Sequence, residues 1–144
     1  VFMFKKTLVS IIATAGIISS LGAETLKHDM GVLATSLSMV QRGFMINDRD
    51  KTIVLLADLK KNIYHTLGDN EKVIALLPEE LKYKSRIAVN SGKMINTYIA
   101  EIEAIYYDKT LSPIKAQIEA QTALINIQVQ CYKCHNLVRD WDKK

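Results

Sequence analysis

The residues with the clearest chemical meaning lie together near the end of the chain: Cys131, Cys134 and His135, with two residues between the cysteines. Residues three apart on a helix share one face, so both thiols can add to vinyl groups of the same porphyrin. The adjacent imidazole then lies where it can bind the iron. This C-x-x-C-H spacing predicts one covalently attached haem c, held through Cys131 and Cys134, with His135 as an iron ligand.

Three other chemistries use paired cysteines. A thioredoxin-like redox pair lies in a strand–helix context near the start of a domain, whereas this pair is near the end of a chain without a strand pattern. A structural zinc site needs four ligands, and the remaining histidines, His28 and His65, form no second paired spacing. A disulfide between Cys131 and Cys134 would close a very short loop. The sequence favours haem attachment over these three alternatives.

The first residues have the layout of an export signal. Lys5 and Lys6 precede an uncharged apolar run, and Ala23 ends that run with a small residue. An uncleaved membrane anchor is the alternative, but the run is short for a bilayer span. We therefore expect residues 1–23 to be a secretory signal peptide, and residues 24–144 to form one domain in the periplasm.

The composition limits the partners of this domain. The chain has 144 residues and a net charge of +4, and the predicted signal carries two of its lysines and no acidic residue. The remaining small charge provides no basic surface of the kind that binds nucleic acid. We expect no nucleic acid partner, and no apolar run after Ala23 is long enough to cross a bilayer.

Hydrophobic residues recur at helical spacing along the rest of the chain, with no sustained alternation of the strand kind. Four amphipathic helices with short connections predict an all-α fold, an antiparallel up-down-up-down four-helix bundle with the haem near the C-terminal helix. The predicted elements are a helix over residues 24–46, a helix from Asp48 or Asp50 to Leu67, a helical piece over residues 73–77, a helix from Pro78 to about Asp108, and a helix that Ser112 caps and Pro113 begins.

The apolar stripes of these helices predict the core. The stripe residues are Leu26, Met30, Leu33, Leu37, Val40 and Phe44 in the first helix, Ile53, Leu56, Leu59, Ile63 and Leu67 in the second, Ile87, Met94, Tyr98, Ile102 and Ile105 in the third, and Ile114, Ile118, Ile125, Val129 and Tyr132 in the fourth.

A four-helix bundle with C-x-x-C-H in its last helix, followed by a basic residue, resembles the cytochrome c′ family. Arg139 stands where that family has Arg or Lys, whereas Val138 replaces its usual aromatic residue. One branch of the family has five-coordinate, high-spin iron and binds nitric oxide or carbon monoxide. In the other branch, a methionine of the first helix completes a six-coordinate electron carrier. The resemblance also implies homodimers formed through the first two helices.

Met30 is the residue on which the two branches differ. The run from Met30 to Leu33 resembles the methionine-bearing segment of the six-coordinate branch, and Met30 lies on the core stripe. The resemblance implies that Met30 ligates the iron, and the alternative is that its thioether only fills space in the core. Met39 and Met45 lie off this stripe, and Met94 belongs to the third helix.

Four further residues have weaker predictions. His28 and His65 are out of phase with the apolar stripes, so both are expected at the surface. Arg139 lies one helical turn beyond His135 and is predicted to approach the haem or a propionate. The alternative is a solvated basic residue favoured by the helix dipole. Trp141 is expected to cover apolar surface.

These features predict an exported monohaem c-type cytochrome that exchanges single electrons with other exported redox proteins. The alternative is a five-coordinate cytochrome c′ that binds nitric oxide or carbon monoxide. A haem-free helical binding module is a third hypothesis, from a different class. We expect no enzymatic activity, since no distal His or Arg is available for peroxide cleavage.

Overall fold

A computed structural model describes residues 14–139, and the side chains of residues 25–138. All regular structure in this part of the chain is helical, which confirms the predicted all-α class. Within it, no helix is both long enough and apolar enough to span a membrane. The elements are α1 (Thr14–Met45), α2 (Arg49–Leu67), α3 (Asn70–Leu76), a 3-10 helix (Glu79–Lys84), α4 (Ser85–Tyr107), α5 (Pro113–Cys134) and a π-helical turn (His135–Arg139).

Side-chain caps fix the starts of two helices where the sequence predicts them. The Asp48 carboxylate accepts a hydrogen bond from the backbone N–H of Lys51 at 3.0 Å, at the start of α2. The preceding Asn47 has a φ of 53°, a left-handed conformation that asparagine tolerates. The Ser112 hydroxyl accepts from the backbone N–H of Lys115 at 3.4 Å, with proline at the first position of α5.

Two predicted boundaries are wrong. Helix α1 begins at Thr14 rather than near residue 24, so its first turns lie within the predicted signal segment, and residues 1–13 of that segment lie outside the described part. Pro78 does not begin α4. The backbone N–H of Leu81 donates to the Pro78 carbonyl at 2.9 Å, a bond over three residues that starts the 3-10 helix instead. Helix α4 follows from Ser85.

The core lies where α1 packs on α2, α2 packs on α4, and α4 packs on α5. The stripes predicted for the first two helices are confirmed, since each of their residues is buried or partly buried. In α4, the stripe is confirmed except at Met94, whose side chain is 40% exposed. The largest fully buried apolar side chains include Tyr106, Leu56, Leu59, Ile99, Ile102, Ile127 and Val40.

The prediction of which face of α5 is buried is wrong. The predicted stripe is exposed, from 50% at Val129 to 73% at Ile114. The opposite face is buried because its small alanines let α5 approach α4 closely, and these two helices share the most extensive contact in the described part. The exposed residues are Ile114, Ile118, Ile125, Val129 and Tyr132, and the buried ones are Ala116, Ala120, Ala123, Leu124, Ile127 and Cys134.

Helices α1 and α2 pack tightly against each other at Gly43. A Cβ atom there would lie 2.5 Å from the Thr52 hydroxyl oxygen and 3.3 Å from the Thr52 Cα. We expect Gly43→Ala to force the helices apart and to lower the free energy of unfolding by about 1–3 kcal/mol, as measured by urea denaturation. Gly31→Ala is the matched control on α1, since a Cβ there has no neighbour within 4 Å. It should raise stability by about 0.5–1 kcal/mol, and equal effects of both variants would contradict the prediction.

Tyr106 joins three helices at the end of the fold where α1 ends and α5 begins. Its hydroxyl donates to the Gln117 side-chain carbonyl at 3.1 Å, and the Gln117 amide donates to the Phe44 carbonyl at 3.4 Å. The Arg49 guanidinium lies 5.0 Å from the centre of the Tyr106 ring. Burial raises the pKa of Tyr106 above its ordinary value of 10.0, and Arg49 opposes this in part.

A raised pKa makes Tyr106 a source of pH-dependent stability. The folded state favours the neutral phenol, so this contribution is complete below the unfolded pKa and is lost as the pH rises through the folded pKa. Tyr106→Phe should be about 1 kcal/mol less stable than the wild type at neutral pH, because it lacks the hydrogen bond to Gln117. The difference in unfolding free energy between the variant and the wild type should become smaller above about pH 10. Urea denaturation at several pH values measures this difference. A difference that stays constant with pH would contradict the prediction.

Candidate cofactor-binding site

A cavity of about 210 Å³ lies between α1, α2, α4 and α5. The backbones of α1 and α5 barely approach each other in the described part of the chain, which leaves the space between them to side chains. The wall of the cavity is largely aliphatic, and such a wall suits a planar apolar group. Its apolar residues include Leu33, Leu37, Leu59, Ile63, Ile95 and Ile127.

Four predicted site residues meet at this cavity. Cys131, Cys134 and His135 border it from the end of α5 and the start of the π-helical turn, and Met30 borders it from α1. Met30 is partly buried and packs against the core. The sequence gives no direct indication that Met30 and the cysteine motif share one cavity, because they lie near opposite ends of the described chain.

The two cysteines are unpaired thiols. Cys131 is partly buried, and Cys134 is 9% exposed. Burial raises the pKa of both thiols, and for Cys134 it acts together with the neighbouring Cys131 to give a pKa of about 11. Both therefore remain neutral at physiological pH, which suits an apolar cavity since neither places a charge there.

The backbone conformation changes from α-helix to π-helix within the cysteine motif. Helix α5 ends at Cys134, and His135–Arg139 forms a π-helical turn. The backbone N–H of His135 donates to the carbonyls of Cys131 and Tyr132. Such turns are rare and occur frequently at functional sites. The sequence analysis places the whole motif in an ordinary helix, so this local change is a finding of the structure.

Residues after the motif are described only in part. Val138, where the cytochrome c′ family has an aromatic residue, is 7% exposed and belongs to the core. Arg139 closes the π-helical turn through its backbone, and its side chain lies outside the described ones. Trp141 lies outside the described residues altogether.

The remaining candidate ligands lie elsewhere. His28 and His65 are exposed, and the Lys72 ammonium donates to the backbone carbonyl of His65. His28 borders a separate, open groove between α1 and α2, which Asp58 also borders. Residues 14–139 contain no group of three or more His, Cys, Asp or Glu side chains that could hold a metal ion. In the described part of the chain, the other methionines, Met39, Met45 and Met94, are exposed and do not border the cavity.

Three polar residues of the cavity are missed by sequence reasoning: Gln41, Ser91 and Gln128. Ser91 is only 3% exposed. The sequence contains no motif that singles these residues out, because a polar residue within an amphipathic helix is ordinarily read as surface.

The residues present fit a covalently held haem. Two neutral thiols, an imidazole and a thioether border one apolar space, and these are the groups that hold haem in c-type cytochromes. Ligand pockets span about 300–1,000 Å³, so the side chains of the cavity would have to move outward around a bound haem.

Comparison of the chain with protein-family models, with curated proteins and with solved structures finds no match.

Proposed function

We propose that the chain is a monohaem c-type cytochrome that carries single electrons, with Cys131 and Cys134 as the attachment residues and His135 and Met30 as the axial ligands. The observation that carries this proposal is that these four side chains border one apolar cavity. The motif alone could occur by chance, and the proposal gains support because Met30, the ligand that the family resemblance implies, borders the same cavity from α1.

Each of these residues would have its own role in holding the haem. Cys131 and Cys134 would hold the group through two thioether bonds, so that it cannot dissociate. His135 would provide a nitrogen ligand and Met30 a sulfur ligand, a pair that favours reduced iron. A haem held there supplies one-electron exchange between ferric and ferrous iron. We propose Arg139, in the π-helical turn with His135, as a basic neighbour of the site.

The helices are proposed to form an antiparallel up-down-up-down bundle. Two observations on α1 and α5 support this arrangement. Phe44, near the end of α1, accepts a hydrogen bond from Gln117, near the start of α5. Met30, at the middle of α1 and well before Phe44, borders the same cavity as Cys131, near the end of α5. The two helices would therefore run in opposite directions, with the site at one end.

A five-coordinate protein that binds nitric oxide or carbon monoxide is the second candidate. The aliphatic wall around Met30 favours it, since Leu33, Leu37 and Ile63 would exclude water and accept a neutral diatomic gas. Export to the periplasm belongs to both candidates, since covalent attachment requires the machinery of that compartment, whereas exported redox partners belong to the first. A homodimer through α1 and α2 remains a proposal from the family resemblance.

The test is the visible spectrum of the full chain, expressed with periplasmic haem-attachment machinery and recorded oxidised, reduced, and reduced with carbon monoxide. A sharp reduced spectrum that carbon monoxide barely changes would support six-coordinate iron and electron transfer. A broad high-spin spectrum that shifts with carbon monoxide would favour gas binding. A colourless protein would overturn haem attachment and leave a haem-free helical module.

A further inference from the structure

Ser91 is a buried polar residue in an otherwise apolar part of the cavity wall. It lies on α4, is 3% exposed, and borders the same cavity as Cys131 and His135. No other described residue forms a hydrogen bond with its hydroxyl. Several threonine hydroxyls bond to the preceding helical turn instead, as Thr97 does to the Lys93 carbonyl at 3.1 Å. In the described part, the fully buried side-chain oxygens without a partner are those of Asn70 and Asn96. The Ser91 hydroxyl is not one of them, so it retains some access to the cavity that it borders and is available to a group bound there.

We propose that the Ser91 hydroxyl donates a hydrogen bond to a carboxylate oxygen of the tetrapyrrole bound in this cavity. The inference rests on the proposed function and deepens it. A serine hydroxyl is a donor, and an ionised carboxylate is only an acceptor, so the two are complementary. The propionates are the groups on the edge of a haem that can accept hydrogen bonds, since its vinyl groups would be consumed by Cys131 and Cys134.

The apolar wall makes such a donor necessary. An ionised carboxylate that enters an aliphatic cavity loses its hydration, and this is unfavourable unless protein donors replace the lost hydrogen bonds. The other polar residues of the wall, Gln41 and Gln128, are only partly buried and lie on α1 and α5. Ser91 alone among these three is more than nine-tenths buried. It is therefore a positioning residue that would hold one propionate ionised.

Two changes are expected when the Ser91 hydroxyl is removed. Without the donor, the ionised propionate is less stable, so it should take up a proton at higher pH. The uncompensated negative charge also favours ferric iron, so the midpoint potential should fall. The pH at which the midpoint potential begins to change should rise by roughly one to two units in Ser91→Ala, since a hydrogen bond to a charged group has about that strength.

The experiment is a redox titration of the haem-loaded full chain across pH, together with resonance Raman spectra of the propionate bending modes. Ser91→Ala is compared with Ser91→Thr, which keeps the hydroxyl, and with Ser91→Cys, a weaker donor of nearly the same shape. Ser85→Ala is the matched control, because Ser85 has the same residue type, helix and burial but does not border the cavity.

The proposal expects a shifted pH profile and an altered propionate band in Ser91→Ala, an intermediate effect in Ser91→Cys, and wild-type behaviour in Ser91→Thr and Ser85→Ala. A red Ser91→Ala protein with the wild-type profile and propionate band would overturn it. So would an equal shift in Ser85→Ala, or a change confined to the carbon monoxide stretching band, which would assign Ser91 to an iron-bound gas. A colourless wild type would instead overturn the proposed function itself, and this inference with it.

Discussion

The double variant Cys131→Ala/Cys134→Ala is expected to carry no haem after denaturation, whereas the wild type should keep its haem. The two thiols border the same cavity as His135, and no other cysteine exists in the chain. Without a thioether bond, only axial ligands and apolar contacts could retain the group, and unfolding removes both. Haem staining of a denaturing gel, together with the visible spectrum in denaturant, measures the loss, which should be complete.

The single variants separate attachment from folding. Cys131→Ala and Cys134→Ala should each keep one thioether bond, with the reduced absorption band shifted because one vinyl group remains intact. Alanine is a good helix former, so the double variant should keep its helical circular dichroism. Haem that stays on the denatured double variant would show attachment elsewhere and would contradict the site. A double variant that has lost its helical signal would indicate that these side chains matter chiefly for packing.

Met30→Ala has the second large expected effect, a change of coordination. If the Met30 thioether ligates the iron, its removal should convert a sharp reduced spectrum into a broad high-spin one. Carbon monoxide, which barely changes the wild type, should then bind the variant. The midpoint potential should also fall, because the methionine ligand favours reduced iron. Optical titration with carbon monoxide and redox potentiometry measure the two changes.

The matched control is Met39→Ala. Met39 lies on the same helix, is 37% exposed and does not border the cavity, so its loss should leave the spectrum and the potential unchanged. Identical spectra for the wild type and Met30→Ala would contradict ligation. Met30 would then be a residue of the cavity wall, and the gas-binding candidate would become the better account.

The all-α class and the starts of α2 and α5 could be predicted from the sequence because each depends on local chemistry. The Asp48 and Ser112 caps satisfy backbone N–H groups within three residues. The stripes of the first two helices also predicted the core correctly, since only one face of each is strongly apolar. The helix period alone identifies such a face.

Boundaries set by competing local geometries were less predictable. Pro78 can begin an α-helix or a 3-10 helix, and its fixed φ suits both. The bond from Leu81 to the Pro78 carbonyl selects the 3-10 form. Likewise, nothing in the spacing of Cys134 and His135 indicates that the α-helix gives way to a π-helical turn between them.

Sequence by itself therefore determined the all-α class and the starts of α2 and α5, because periodicity and caps are local properties. It also contains the C-x-x-C-H spacing on which the haem proposal rests. Tertiary structure decided which face of α5 is buried. That helix has two apolar faces, and the sequence reading chose the larger side chains at Ile114 and Ile118, whereas close packing on α4 selected the small ones at Ala116 and Ala120. It also brought Met30 and Ser91 to the cysteine motif. Contacts between residues so far apart in the chain depend on how whole helices pack, and no local pattern encodes that packing.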